Sequence, residues 1–160
     1  MTMDDSGEWW IGSEPADIEK YLYEFTRSEA AYPATVIRLA KCQCGSDRFR
    51  LIRASEITQR TCSACRHVKY ISRHGMAEDW DDAIEEEEPE SYRCDGCGSE
   101  ETNVGVGFAG YAEDPELSGI KWFYIGVRCA SCGILGCFNE GKVGWGPAED
   151  VYLQVAGGSD

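Results

Sequence analysis

The 160-residue chain has two histidines, and its 15 basic residues are outnumbered by 29 acidic ones. With only His67 and His74 available, histidine-based acid–base or nucleophilic chemistry has little to build on. No nucleophile elbow, P-loop or dinucleotide fingerprint occurs. No run of 18 apolar residues occurs either, so a helical membrane span is not expected. The start, Met1-Thr2-Met3-Asp4-Asp5, is acidic and lacks the apolar stretch of a secretory signal. These absences lead to the expectation of a cytoplasmic, non-enzymatic protein with no membrane partner and no small-molecule substrate.

What the chain does have is cysteine. Eight of its nine cysteines form four close pairs, and the pairs repeat one pattern twice. The first copy is Cys42-Gln43-Cys44-Gly45-Ser46, followed by Cys62-Ser63-Ala64-Cys65. The second is Cys94-Asp95-Gly96-Cys97-Gly98-Ser99, followed by Cys129-Ala130-Ser131-Cys132-Gly133. A tetrahedral zinc ion takes four soft ligands, and two short thiolate turns on a hairpin supply them. A glycine after the second thiol permits the positive φ such a turn needs. Disulfides would require an oxidising compartment. A redox CxxC would open a helix beside a βαβ unit, and neither copy has that context. The expected cofactor is therefore two structural zinc ions, held by Cys42, Cys44, Cys62 and Cys65 and by Cys94, Cys97, Cys129 and Cys132. The first group departs from the pattern, because one residue rather than two separates Cys42 from Cys44. Cys137 is left over in an apolar run, read as a buried core thiol, with a substitute ligand or a reactive thiol as alternatives.

These motifs resemble the zinc-ribbon superfamily. That resemblance implies β-rich modules that bind proteins or nucleic acids, and it does not fix a function. The second copy also carries Glu113-Asp114-Pro115 between its cysteine pairs. In this it resembles the zinc ribbon of transcript-cleavage elongation factors. The resemblance implies an accessory role in which Glu113 and Asp114 help hold a metal ion in a polymerase active site. The bland alternative is a solvated turn.

The expected fold is a small, β-rich, metal-stabilised α+β protein, with two tandem zinc ribbons preceded by an amphipathic N-terminal helix. Residues 1–33 form an aromatic lead-in and helix, with Ile18, Tyr21, Leu22 and Phe25 as one apolar stripe. Residues 34–75 form the first ribbon, with strands at Thr35–Ala40, Arg48–Arg53 and His67–Ser72. Residues 76–90 are an acidic linker whose Trp80 and Ile84 suggest docking. Residues 91–156 form the second ribbon, ending in an edge strand at Val151–Val155, and 157–160 are a flexible tail. In the second ribbon Val104, Val106 and Phe108 alternate with Gly105, Gly107 and Ala109, so another element is expected close to that thin face.

Charge is partitioned along the chain. Residues 34–75 carry 9 basic and 2 acidic side chains, whereas 76–90 carry 9 acidic and none basic. The leading expectation is a zinc-binding protein that recognises another, basic protein as an adaptor, inhibitor or immunity-type factor. The alternative is a nucleic-acid-binding or transcription-associated protein that uses Arg48, Arg50, Arg53, Arg60, Arg66 and Lys69 on the basic ribbon. Internal neutralisation of these arginines by the acidic linker competes with both.

Overall fold

The computed structural model describes residues 3–4, 10–29, 32–71, 77–110 and 120–145. Glu113, Asp114, His74, Arg73, the Val151–Val155 strand and the 157–160 tail lie outside these residues. In chain order the elements are β1 (Met3–Asp4), β2 (Ile11–Gly12), α1 (Asp17–Glu29), β3 (Val36–Leu39), β4 (Phe49–Ala54) and β5 (Ile57–Cys62). They continue with β6 (Val68–Ile71), α2 (Ala77–Glu86), β7 (Glu90–Ser91), β8 (Thr102–Gly110), β9 (Ile120–Cys129) and β10 (Leu135–Trp145).

Alternation along β8 gives its two faces different jobs. Val104, Val106 and Phe108 lie opposite Val127, Ile125 and Phe123 of β9. With Phe49, Leu51, Ile71 and Phe138 they make the main core. The other face is bare, because Gly105 lies opposite Gly126. Helix α1 fills that hollow. A Cβ at either glycine would stand 2.8 Å from Ile18 Cγ2. The helix buries Ile18, Tyr21 and Leu22, and Phe25 is half-buried. Asp17 accepts the amides of Ser13 and Glu14 at 2.8 and 3.2 Å, which satisfies donors at the helix entrance.

Eight antiparallel strands form one sheet, in the order β10-β9-β8-β4-β5-β6, with β3 on β8 and β7 on β4. Strand β4 meets β8 only at Phe49–Thr102. The sheet turns at that point, and side chains from its two halves meet in a shared core. Far from the turn, β10 reaches back to the β4–β5 hairpin. Arg53 Nη1 donates to the Phe138 carbonyl. Asn139 Nδ2 donates to Ser55 O at 3.2 Å and to Thr58 Oγ1 at 3.1 Å.

Two short strands pair across the cysteine units. Strand β3 precedes the first cysteine pair, yet it pairs with β8, from Val36–Phe108 to Leu39–Gly105. Strand β7 precedes the second pair, yet it pairs with β4 through Ile52–Ser91 and Arg53–Glu90. The strand expected at Thr35–Ala40 thus completes the hairpin that carries the other cysteine group. It takes the β8 edge that β4 leaves uncovered. Strand β5 was not among the expected strands, because its inward face carries Thr58 and Arg60 rather than apolar residues. Both are buried, at 0% and 1% exposure.

Helix α2 docks on the outer face of the first unit. Trp80 and Ala83 pack with Ala54, and Ile52, Ile57 and Tyr70 border them. Ile84, expected to share the docked stripe, is 39% exposed. The residue on the buried face is Ala83, three positions after Trp80.

Candidate metal centres

Each cysteine pair sits on a turn built from the same two backbone hydrogen bonds. In the regular pairs, the N–H of the first cysteine donates to the carbonyl five residues on. These bonds are Cys62 to His67, Cys94 to Ser99 and Cys129 to Ile134, each at 2.9 Å. The residue after the second cysteine donates back to the first. Arg66 reaches Cys62 O at 3.0 Å, Gly98 reaches Cys94 O at 2.9 Å, and Gly133 reaches Cys129 O at 2.9 Å. The irregular pair keeps both bonds with each loop one residue shorter. Cys42 donates to Ser46 O at 2.9 Å, and Gly45 donates to Cys42 O at 2.8 Å. The Cys42–Cys44 spacing therefore shortens the turn without changing its design. The back-bonding residue has a positive φ in all four turns: 94° at Gly45, 70° at Arg66, 79° at Gly98 and 86° at Gly133.

The hairpins bring the turns together in pairs. Cys42 Sγ lies 3.5 Å from Cys65 Sγ, and Cys44 Sγ lies 3.6 Å from Cys62 Sγ. In the second group the Cys94–Cys132 and Cys97–Cys129 separations are both 3.5 Å. Within each group all four sulfurs lie within 4.8 Å of one another. A disulfide needs about 2.05 Å between sulfurs. A tetrahedral ion with metal–sulfur bonds of about 2.3 Å spaces its ligands by roughly 3.8 Å. Each group is thus able to hold one metal ion. In both groups one cysteine of each turn is buried and the other exposed.

In each group the backbone favours the thiolate of one buried cysteine, whereas Cys42 in the first group and Cys132 in the second are pushed up to about 12. Burial raises Cys129, but the N–H groups of Cys132 and Ser131 and the thiols of Cys97 and Cys132 outweigh it, bringing it down to about 6. Cys62 is likewise brought down to about 6. There burial is outweighed by the amides of Cys65 and Ala64 and the thiols of Cys44 and Cys65. Thiolate is the form that binds metal.

Cys137 belongs to neither group. It packs beside the core under α1, and its Sγ donates to Asn139 O at 3.5 Å. Burial, followed by the nearby Glu140 carboxylate, pushes its thiol up to about 12.

The basic residues do not form one surface. Arg60 is buried with its guanidinium 4.6 Å from the Phe49 ring centroid, so it leaves the expected basic face. Arg53 is tied to Glu90 at 2.8 Å and to Phe138 O. Arg50 pairs with Glu100 at 3.4 Å. Lys69 is half-buried, and Lys41, Arg48 and Arg66 are exposed around the first metal group.

No protein-family model, curated protein or solved structure matches this chain.

Proposed function

We propose that the protein is a non-enzymatic, double zinc-ribbon protein that presents an acidic surface to a basic protein partner. Soft thiolates select zinc over hard cations, and four thiolates per ion leave no open position for a reacting water. Both ions are then structural. Thiols kept reduced as ligands suit the cytoplasm.

The observation that carries the partner reading is the state of α2. Trp80 and Ala83 anchor one face, while Asp81, Asp82, Glu85 and Glu86 stand exposed on the remainder. The Arg50–Glu100 and Arg53–Glu90 ion pairs occupy neighbouring arginines and involve none of these four carboxylates. A docked helix with a row of exposed carboxylates attracts a basic partner. Exposed Ile84 adds an apolar contact point within that row.

Reversing the charge at Asp81, Asp82, Glu85 and Glu86 to lysine tests this reading. Capture of basic proteins should fall sharply while zinc content stays at about two per chain. Unchanged capture rejects α2 as the surface.

A second reading, nucleic-acid binding, is favoured by exposed Lys41, Arg48 and Arg66 around the first metal group. Against it, a four-thiolate zinc centre adds a formal charge of about −2 beside those cations. Fluorescence anisotropy of single-stranded RNA with the intact chain separates the two. Binding with a steep salt slope supports the second reading.

A further inference from the structure

The two metal groups share their turn design but not their surroundings. Strand β2 is stitched to the last turn of the second group. Gly12 N–H donates to Gly133 O at 2.8 Å, and Leu135 N–H donates to Trp10 O at 2.7 Å. Ile11 and Ile134 form an antiparallel bridge. Arg128 joins this strap to the sheet. Its Nε donates to Gly12 O at 2.7 Å, and its Nη1 donates to Asn103 Oδ1 at 2.8 Å.

A difference between the equivalent turns reflects the strap. The residue after the last cysteine is Arg66 in the first unit, where it is exposed, and Gly133 in the second. Both have a positive φ. A Cβ at Gly133 would run into the Gly12 carbonyl. Glycine there serves the close approach of the strap as well as the turn. From Gly12 the contacts continue to Asp17, which accepts the Ser13 and Glu14 amides. They then reach Ile18, seated over Gly105 and Gly126.

We infer that the second metal centre and the N-terminal strap are one linked unit: metal on Cys94, Cys97, Cys129 and Cys132 holds residues 10–12 in place, and the strap slows release of that metal. This rests on the metal reading given above. The turn that carries Cys129 and Cys132 is also the hydrogen-bonding partner of β2, so fixing its conformation fixes the strap's docking site. By linkage, whatever affinity the metal adds to strap docking, the docked strap adds to metal binding. The first centre has no such strap among the described residues; its tie to Arg128 runs through Asn103, whose Nδ2 donates to Asp47 O at 2.9 Å.

The experiment uses the full zinc-loaded chain and Arg128→Met, which removes the donor to Gly12 while keeping the apolar stem. Zinc release to a colorimetric chelator is followed over time, and amide exchange at Gly12 and Leu135 is measured alongside. The variant should release one of its two zinc ions roughly tenfold faster and affect the other much less, with faster exchange at both amides. In a companion pair, Cys97→Ser with Cys132→Ser should speed exchange at Gly12 and Leu135, whereas Cys44→Ser with Cys65→Ser should not. If the first of these unfolds, Arg128→Met still decides the matter. Unchanged release of both ions, or equal acceleration of both, overturns the linkage while leaving the metal reading intact. Fewer than two zinc ions in the unmodified chain overturns the metal reading and the linkage with it.

Discussion

At the scale of single residues, glycines carry two different demands that one kind of substitution separates. Gly126 has an ordinary φ but no room, since an added Cβ would lie 2.8 Å from both Ile18 Cγ2 and Leu22 Cδ1. Gly45 has room, with nothing within 4 Å, but a φ of 94°. Gly126→Ala should cost about 1–3 kcal/mol through overpacking. Gly45→Ala should cost about 1–2 kcal/mol through backbone strain. Denaturant unfolding in excess zinc measures both. Adding Ile18→Ala to the first should recover part of its loss but none of the second's, because only the first is a contact between side chains.

Cys137 makes a further prediction at this scale. Its thiol, held up at about 12, stays protonated well above the ordinary thiol value near 8.5. Alkylation of the zinc-loaded protein at pH 8 should modify Cys137 at least about a hundredfold more slowly than a free thiol, because the thiolate is the nucleophile. Mass spectrometry of the alkylated site checks this. The sign for stability follows. The folded state favours the neutral thiol, so this contribution is full below about pH 8.5. It is lost progressively as pH rises toward 12.

At the scale of elements, α2 docks through Trp80 and Ala83, and just past its end Glu87 accepts the Ser55 amide at 2.8 Å. Trp80 is 7% exposed and packs against Tyr70, with ring centroids 5.9 Å apart. Trp80→Ala should cost about 3–5 kcal/mol and loosen α2 without removing either metal. Circular dichroism and zinc content, read together, test both halves of that statement. The exposed Arg50–Glu100 pair is expected to contribute under about 1 kcal/mol, since 53% and 55% of the two side chains face water. The helix α1 was legible as a stripe at i, i+3, i+4 and i+7, and Ile18, Tyr21 and Leu22 are the residues it buries. The docked face of α2 was misread, because an alanine carries little hydrophobic signal beside an isoleucine. Strand β5 was missed for a related reason. Its buried face holds Thr58 and Arg60, so the period-2 pattern of apolar residues never appears.

At the scale of the whole molecule, the exchange of β3 and β7 makes the two cysteine units depend on each other. Residues 34–75 alone would leave β3 without β8 and β4 without β7. They would also strip Phe49, Leu51 and Ile71 of their partners in the shared core. That fragment is therefore expected to bind one zinc ion yet show no cooperative unfolding transition, whereas the intact chain unfolds cooperatively. A sharp transition in the zinc-loaded fragment would show that the units are separable.

The chain read alone already says which eight thiols gather into two groups, where a positive φ follows the second cysteine of three turns, and which face of β8 is bare. These follow from short-range spacing: ligands a turn apart, glycine beside a thiol, side chains alternating along a strand. Contacts between distant segments set the rest: β3 completes the other unit's hairpin, Arg60 is buried, and Asp81, Asp82, Glu85 and Glu86 of α2 stand exposed. Those outcomes depend on which distant edge or face is left uncovered once the hairpins form. An unpaired backbone edge accepts any extended segment that reaches it, so nothing local in residues 36–39 marks β8 as their partner.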